Sequence, residues 1–182
     1  MIDYPKGLPC WAPGAAGYLS RLLTKKEHVA IEYGGGHSSP WLYPQVKHLH
    51  TIEHNADWAE SICKWIGAEA ENFTLHQHPF THKNYIECCD HLCIGGDRIL
   101  WLIDGFYRIK TLAYVLSNAR KGDIILCDDA LDYLHTPPDD AKTFSQKHPY
   151  AGTPTAAHHR RRHGNTENLK HPMTKDTTIW VV

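Results

Sequence analysis

The sequence predicts an α/β sandwich, a doubly wound, mostly parallel sheet with helices on both faces. Three observations carry this. Two runs, RILWLID (98–104) and DIILCD (123–128), are apolar at nearly every position, as strands buried on both faces are. Segments with helical apolar spacing alternate with short strands along the chain. A glycine triplet, residues 34–36, directly follows the first strand, at the end of the sheet where α/β folds bind ligands.

The elements follow in order. Residues 1–13 are rich in Pro and Gly around Trp11. Residues 14–27 read as a helix with Leu19, Leu22 and Leu23 on one face and Lys25 and Lys26 at its carboxyl end. VAIEY (29–33) is a short buried strand, and LHTIEH (49–54) is the next. Asn55 caps a helix whose Trp58, Ile62, Trp65 and Ile66 share a face. FTLHQ (73–77) is a weaker strand, and residues 82–94 read as helix. After the 98–104 strand comes a helix from about Ile109 to Arg120, with Ile109, Leu112, Ala113 and Leu116 as its stripe and Gly122 as its C-cap. TTIWVV (177–182) closes the chain as a strand. Residues 136–177 differ from the rest. This long polar excursion holds only Phe144, Tyr150, Leu169 and Met173 as large apolar residues, and reads as a loop or insertion.

At 182 residues the chain suffices for one domain, 1–182, with a real core. Its formal net charge of -1 gives no strong field toward nucleic acid or membrane. No apolar run is of membrane length, and the first residues lack a basic-then-apolar leader pattern, so a cytoplasmic location is expected. The six cysteines then read as free thiols.

In IEYGGGHSSPW (31–41), Gly34 and Gly36 let the backbone turn and approach a ligand. Pro40 suits the first turn of a helix, and Ser38 and Ser39 can cap it or donate to a ligand. The dinucleotide pattern G-x-G-x-x-G fails at Ser39, and the phosphate loop G-x-x-x-x-G-K-[ST] is absent. Glu53, at the end of the second strand, can accept from both hydroxyls of a ribose. Glu32 beside the glycines would repel a pyrophosphate but tolerates a ligand without phosphates.

Together these stretches resemble the class I S-adenosylmethionine-dependent methyltransferases, whose fold is Rossmann-like. IEYGGGHSS is similar to the E-x-G-x-G-x-S-T form of their first motif, and TIEHNADW (51–58) to their second. WLIDGFYR (101–108) and GDIILCDDA (122–130) resemble two further strand ends, and TTIWVV a strand near the carboxyl terminus. The resemblance implies that Glu32, Gly34 and Gly36 line the methionine end of S-adenosylmethionine, with Ser38 nearby. It implies that Glu53 holds the ribose and that His54 flanks the adenosine. Gln77 and His78 fall where members often contact adenine.

Asp104 ends one central strand, and Asp128 and Asp129 end the next. Three converging carboxylates would repel one another without a cation, and hard oxygen ligands suit Mg²⁺ or another divalent ion. This also resembles the divalent-metal O-methyltransferases, in which a metal chelates the acceptor hydroxyl. The alternative is that Arg108 neutralises the cluster. ECCDHLC (87–93) invites zinc, but without a C-x-x-C pair it reads better as buried free thiols. HHRRRHG (158–164) could hold an anionic acceptor, though such runs are more often a solvated loop. His37, His54, His76, His78 and His135 are candidate general bases that spacing does not separate.

The expected function is therefore methyl transfer from S-adenosylmethionine to an oxygen of a small molecule or saccharide, with Asp104 on the acceptor side and metal assistance through Asp104, Asp128 and Asp129. Nucleic acid is disfavoured as a partner because no aromatic-rich basic face is present. No membrane is involved, and a homo-oligomer is compatible with the sequence. The alternatives are cleavage of the same cofactor, a non-catalytic module that binds it, and a Rossmann oxidoreductase.

Overall fold

The structure is a computed structural model that describes residues 8–78, 82–90, 96–130, 139–147 and 174–182. Seven strands form one sheet: β1 (His28–Tyr33), β2 (His48–Glu53), β3 (Phe73–Gln77), β4 (Arg98–Ile103), β5 (Ile124–Asp128), β6 (Lys142–Lys147) and β7 (Thr174–Val181). Their order is β3-β2-β1-β4-β5-β7-β6. The pairs joining β1, β2, β3, β4 and β5 are parallel, and β7 runs antiparallel to both β5 and β6. The order reverses at β1, so the ends of β1, β2 and β4 form a crevice at the topological switch point.

The central strands bury alternate residues on opposite faces. Ile31, Tyr33, Trp101, Ile103, Ile125 and Cys127 face α4 (His82–Glu87) and α5 (Arg108–Asn118), where Tyr85, Ile86, Leu112 and Val115 close the layer. Ala30, Leu49, Leu100, Leu102 and Leu126 face α1 (Ala15–Leu22) and α2 (Ser38–Leu42), with Leu19 and Leu42 packed on them. This two-sided burial is why the strand sequences read as continuous apolar runs. Asn55 caps α3 (Ala56–Ile66): its side chain accepts from the N–H groups of Asp57 at 2.9 Å and Trp58 at 3.1 Å.

Several expectations shift. The first helix ends at Leu22, so Lys25 and Lys26 lie beyond it, with Lys26 in a left-handed turn at φ 50. Helix α5 buries Arg108, Thr111, Leu112 and Val115, while Ile109 and Leu116 are 63% and 51% exposed. The buried face is turned because Arg108, a charged residue, points inward to bind the strand ends. Ala119 is the α5 C-cap, and Gly122, at φ +91, makes the turn into β5 instead. On α3 the structure buries Ala59 and Ile62, and leaves Trp58 and Trp65 partly exposed around the His37 ring. Within the polar excursion lies a strand, β6, in which Phe144 packs against Tyr18. His91, Cys93, His135, Tyr150, the basic run 158–164, Leu169 and Met173 lie outside the described residues. None of Cys10, Cys63, Cys88, Cys89 and Cys127 is in a disulfide. Among the described residues no helix is long and apolar enough to cross a membrane.

Candidate functional site

The exits of β1 and β4 cross at contact. The Gly34 N–H donates to the Ile52 carbonyl at 2.9 Å, and the Asp104 N–H donates to the Tyr33 carbonyl at 2.9 Å. A Cβ on Gly34 would fall 2.4 Å from the Gly105 Cα, and Gly34 has φ +92. A Cβ on Gly105 would fall 2.9 Å from the Tyr33 carbonyl oxygen and 2.1 Å from the Tyr85 hydroxyl. Gly35 is equally constrained, since its Cβ would meet the Ile62 Cδ1 at 2.4 Å and the Thr51 Cγ2 at 2.5 Å. Gly36 is different: a Cβ there meets nothing within 4 Å among the described residues. Gly34 and Gly35 thus serve the protein's own packing, whereas Gly36 faces open space. The sequence pairs Gly34 with Gly36; Gly35 is missed because its tight neighbour comes from α3, 27 residues on.

Glu32 does not line the crevice. It is fully buried, and its carboxylate accepts from the hydroxyls of Ser38 at 2.5 Å, Ser39 at 2.6 Å and Thr51 at 2.7 Å. The Ser38 hydroxyl is thereby directed inward to Glu32. The Ser39 hydroxyl also accepts from the Gly36 N–H at 3.1 Å. Glu32 is a buried hub that fixes the loop and the start of α2.

Burial pushes the Glu32 carboxyl up to about 7, against the three hydroxyl hydrogen bonds that hold it down; Asp104 adds to the rise. An acid raised in the folded state contributes stability that is complete below its unfolded value of 4.5 and is lost as pH rises through about 7. A gap of this size corresponds to roughly 3 kcal/mol. Glu32→Gln should therefore gain on wild type by about that amount between pH 4 and pH 8. Urea unfolding at the two pH values checks this, and parallel pH dependences in the two proteins would refute it.

Glu53 is 4% exposed and ties β2 to the glycine loop. Its Oε1 accepts from the N–H groups of His54 at 2.9 Å and Asn55 at 2.7 Å, and its Oε2 accepts from the Gly35 N–H at 3.1 Å. His54 Nδ1 lies 3.1 Å from Oε1, and the His54 side chain is 29% exposed. A carboxylate has about four acceptor positions, so Oε2 keeps capacity for a ligand hydroxyl.

The three aspartates do not converge as a metal site. Arg108, 7% exposed, lies between two of them, donating to Asp104 Oδ1 at 2.9 Å and to Asp129 Oδ2 at 2.6 Å. It also donates to the carbonyls of Asp104, Gly105 and Asp128. Burial alone would lower the Arg108 pKa, but Asp104, then Asp129 and Asp128, hold it above its ordinary value. Asp128 is fully buried and accepts from the Thr177 hydroxyl at 2.7 Å. Among the described residues no group of three or more potential ligands gathers. The donor set does not fit a divalent cation, and the guanidinium supplies the positive charge the carboxylates require.

Tyr85, absent from the sequence reading, stands over the crossing. It is 1% exposed, and its hydroxyl has no hydrogen-bond partner among the described residues. Burial, then the charges of Glu53, Asp104 and Glu32, raise its pKa, so it stays a neutral phenol. A surface hollow of about 520 Å³, lined by Glu60, Lys64, Phe73 and Leu75 among others, shares no residue with this site.

No protein-family model and no curated protein matches the sequence. Solved structures do. An O-methyltransferase, TomG from Streptomyces achromogenes, involved in tomaymycin synthesis and solved with SAM, is 18% identical; the match covers 91% of this chain and 77% of that one, with a TM-score of 0.51. An O-methyltransferase from Bacillus cereus, solved with SAH, is 12% identical over 98% of this chain and 84% of that one, with a TM-score of 0.51. An rRNA methylase from Streptococcus thermophilus is 10% identical over 100% of this chain and 99% of that one, with a TM-score of 0.55. At these identities the likeness shows the fold. It is the Rossmann-like class I fold of S-adenosylmethionine-dependent methyltransferases.

Proposed function

We propose that this chain is an S-adenosylmethionine-dependent methyltransferase acting on an oxygen of a small molecule or saccharide. One observation carries the reading furthest. The Glu53 carboxylate grips the Gly35 N–H across the switch point, beside the open space at Gly36. The fit with the cofactor rests on that open backbone and on the buried Tyr85 hydroxyl, which has no hydrogen-bond partner among the described residues. Glu53 Oε2 would accept from a ribose hydroxyl, His54 would flank the adenosine, and Gly34 and Gly36 would line the methionine end. Glu32 and Ser38 would act from beneath, holding the loop. When bound, the cofactor supplies an activated methyl group on a sulfonium.

What remains for the protein is alignment, because the methyl donor is already activated. Asp104, with its side chain 24% exposed and Oδ1 engaged by Arg108, presents Oδ2 to receive the acceptor's hydroxyl proton. No step uses a metal. The names of the two O-methyltransferases support an oxygen acceptor, and the β4 exit reads Asp104-Gly105-Phe106, not the Asn/Asp-Pro-Pro-aromatic motif that marks amino methylation of bases in similar enzymes.

Calorimetric titration with S-adenosylhomocysteine tests the reading. Wild type should bind at micromolar concentration, and Glu53→Ala should lose about 10- to 100-fold, the worth of a charge-assisted hydrogen bond. No binding by wild type would end the methyltransferase reading. A second reading, a cofactor-binding module without turnover, is favoured by the ion pair that already occupies Asp104. It predicts cofactor binding without methyl transfer in wild type and Asp104→Ala alike, whereas the enzyme reading predicts transfer by wild type that Asp104→Ala loses with binding retained.

A further inference from the structure

Four histidines stand together at the outer edge of the sheet. Strand β3 ends the sheet and pairs in parallel with β2, with His50 opposite Thr74 and Ile52 opposite His76. Side chains alternate along a strand, so His48, His50, Thr74 and His76 share one face. His78 directly follows β3. All four imidazoles are half-buried, so solvent reaches them. His50 lies three positions before Glu53, roughly 10 Å along β2, which sets the group behind the crevice at the strand ends.

The two central rings meet nitrogen to nitrogen. His50 Nδ1 lies 3.1 Å from His76 Nε2, and the ring planes are 32° apart. Each of these rings is flanked by another. His48 stacks on His50 with 4.4 Å between centroids and 30° between planes, and its Nε2 lies 2.9 Å from Thr74 Oγ1. His78 lies nearly parallel to His76, at 11°. The pair is therefore carried on two hydrogen-bonded strands, among neighbours that limit how its rings turn.

Imidazole nitrogens bind zinc at about 2.0–2.1 Å, so two of them on one ion stand roughly 2.8 to 3.4 Å apart, from right-angled to tetrahedral coordination. The 3.1 Å contact falls inside that span. The same separation suits a hydrogen bond, and a modest turn of each ring brings both lone pairs onto one point. Among the described residues no group of three ligands gathers, so water fills the ion's other positions. Imidazole suits nickel, copper and zinc, whereas magnesium and calcium take oxygen ligands. We infer that His50 and His76 bind one dication of the nickel, copper and zinc group across the β2–β3 pair. This site is separate from Asp104, Asp128 and Asp129, and it does not depend on the methyltransferase reading. No residue of β3 is fully buried, so packing holds this edge strand weakly, and a bridging ion fastens it to β2.

The test titrates metal-stripped protein with nickel chloride by calorimetry, on wild type, His50→Gln, His76→Gln and, as a control away from the pair, His37→Gln. Wild type and His37→Gln should take up one ion with a Kd below about 0.1 mM. His50→Gln and His76→Gln should each weaken that binding about tenfold or more, at least the cost of losing an outer partner of a metal ligand. The double variant should weaken it little further, because one ligand alone no longer chelates. Saturating nickel should also raise the thermal unfolding midpoint of wild type, and not that of the two variants. A measurement on wild type alone guards against variants that fold poorly. Nickel is paramagnetic, so the amide NMR signals around positions 50 and 76 should respond first. If wild type binds no nickel at 0.1 mM, roughly the limit set above, the inference is overturned. It is equally overturned if either single variant binds as wild type does, or if the first signals to respond lie elsewhere.

Discussion

Replacing Arg108 by methionine is expected to lower the unfolding free energy by about 3 kcal/mol or more, the usual result of removing one partner from a buried ion pair. Methionine keeps most of the volume, so packing is a minor part of the loss. The guanidinium fork makes five hydrogen bonds, to Asp104, Asp129 and three carbonyls at the ends of β4 and β5. Without it, two carboxylates face each other across the sheet end, and three carbonyls lose a donor. The Asp104 and Asp129 side chains are 24% and 23% exposed, so water softens the loss and places it at the low end of the range. Arg108→Lys should recover only part of it, because an ammonium cannot span both carboxylates in a planar fork. Urea denaturation followed by tryptophan fluorescence measures both. A change below about 1 kcal/mol for Arg108→Met would mean the pairs behave as surface pairs do.

Gly34→Ala is the second large effect, again roughly 3 kcal/mol, from two sources. A left-handed backbone costs an L-residue about 1–2 kcal/mol. The remainder comes from the new methyl, which would lie 2.4 Å from the Gly105 Cα and 2.9 Å from the Asp104 carbonyl carbon, so backbone on one side must move. The informative contrast is Gly36→Ala. Among the described residues nothing lies within 4 Å of its Cβ, so its stability should change by about 1 kcal/mol or less. Its affinity for S-adenosylhomocysteine should nonetheless fall at least tenfold if the ligand's methionine end lies against it. Thermal unfolding and calorimetry on the same two proteins separate the glycine needed by the fold from the glycine open to a ligand. Equal stability losses would contradict this division.

Strands β1, β4 and β5 were legible because double burial writes a continuous apolar run, and all five parallel strands fall within about one residue of their expected places. The Asn55 cap was legible because capping is local. What escaped was decided at a distance. Helix α5 turned its face because Arg108 finds two aspartates on other segments, and no periodicity records that. Strand β6 was hidden because an outer strand is not buried on both faces, and its Lys, Thr, Ser and Gln residues look like loop. Asp128 could not be told from a ligand until β7 brought Thr177 beside it. Glu32 looked like a lining residue because its three hydroxyl partners lie 6, 7 and 19 positions on, and only the last belongs to another strand. Tyr85 carried no motif at all.

The crossing of Gly34, Gly105 and the Tyr85 hydroxyl also bears on how such a chain can change over generations. Neither glycine can vary alone. A side chain at 105 needs the tyrosine gone and the β1 exit moved, and a side chain at 34 needs the β4 exit displaced. In the lineage of this protein Gly34 and Gly105 should be inherited as one character. A descendant that abandons Tyr85 sheds the tightest contact around position 105 and leaves only the backbone at the β1 exit to hold that position small.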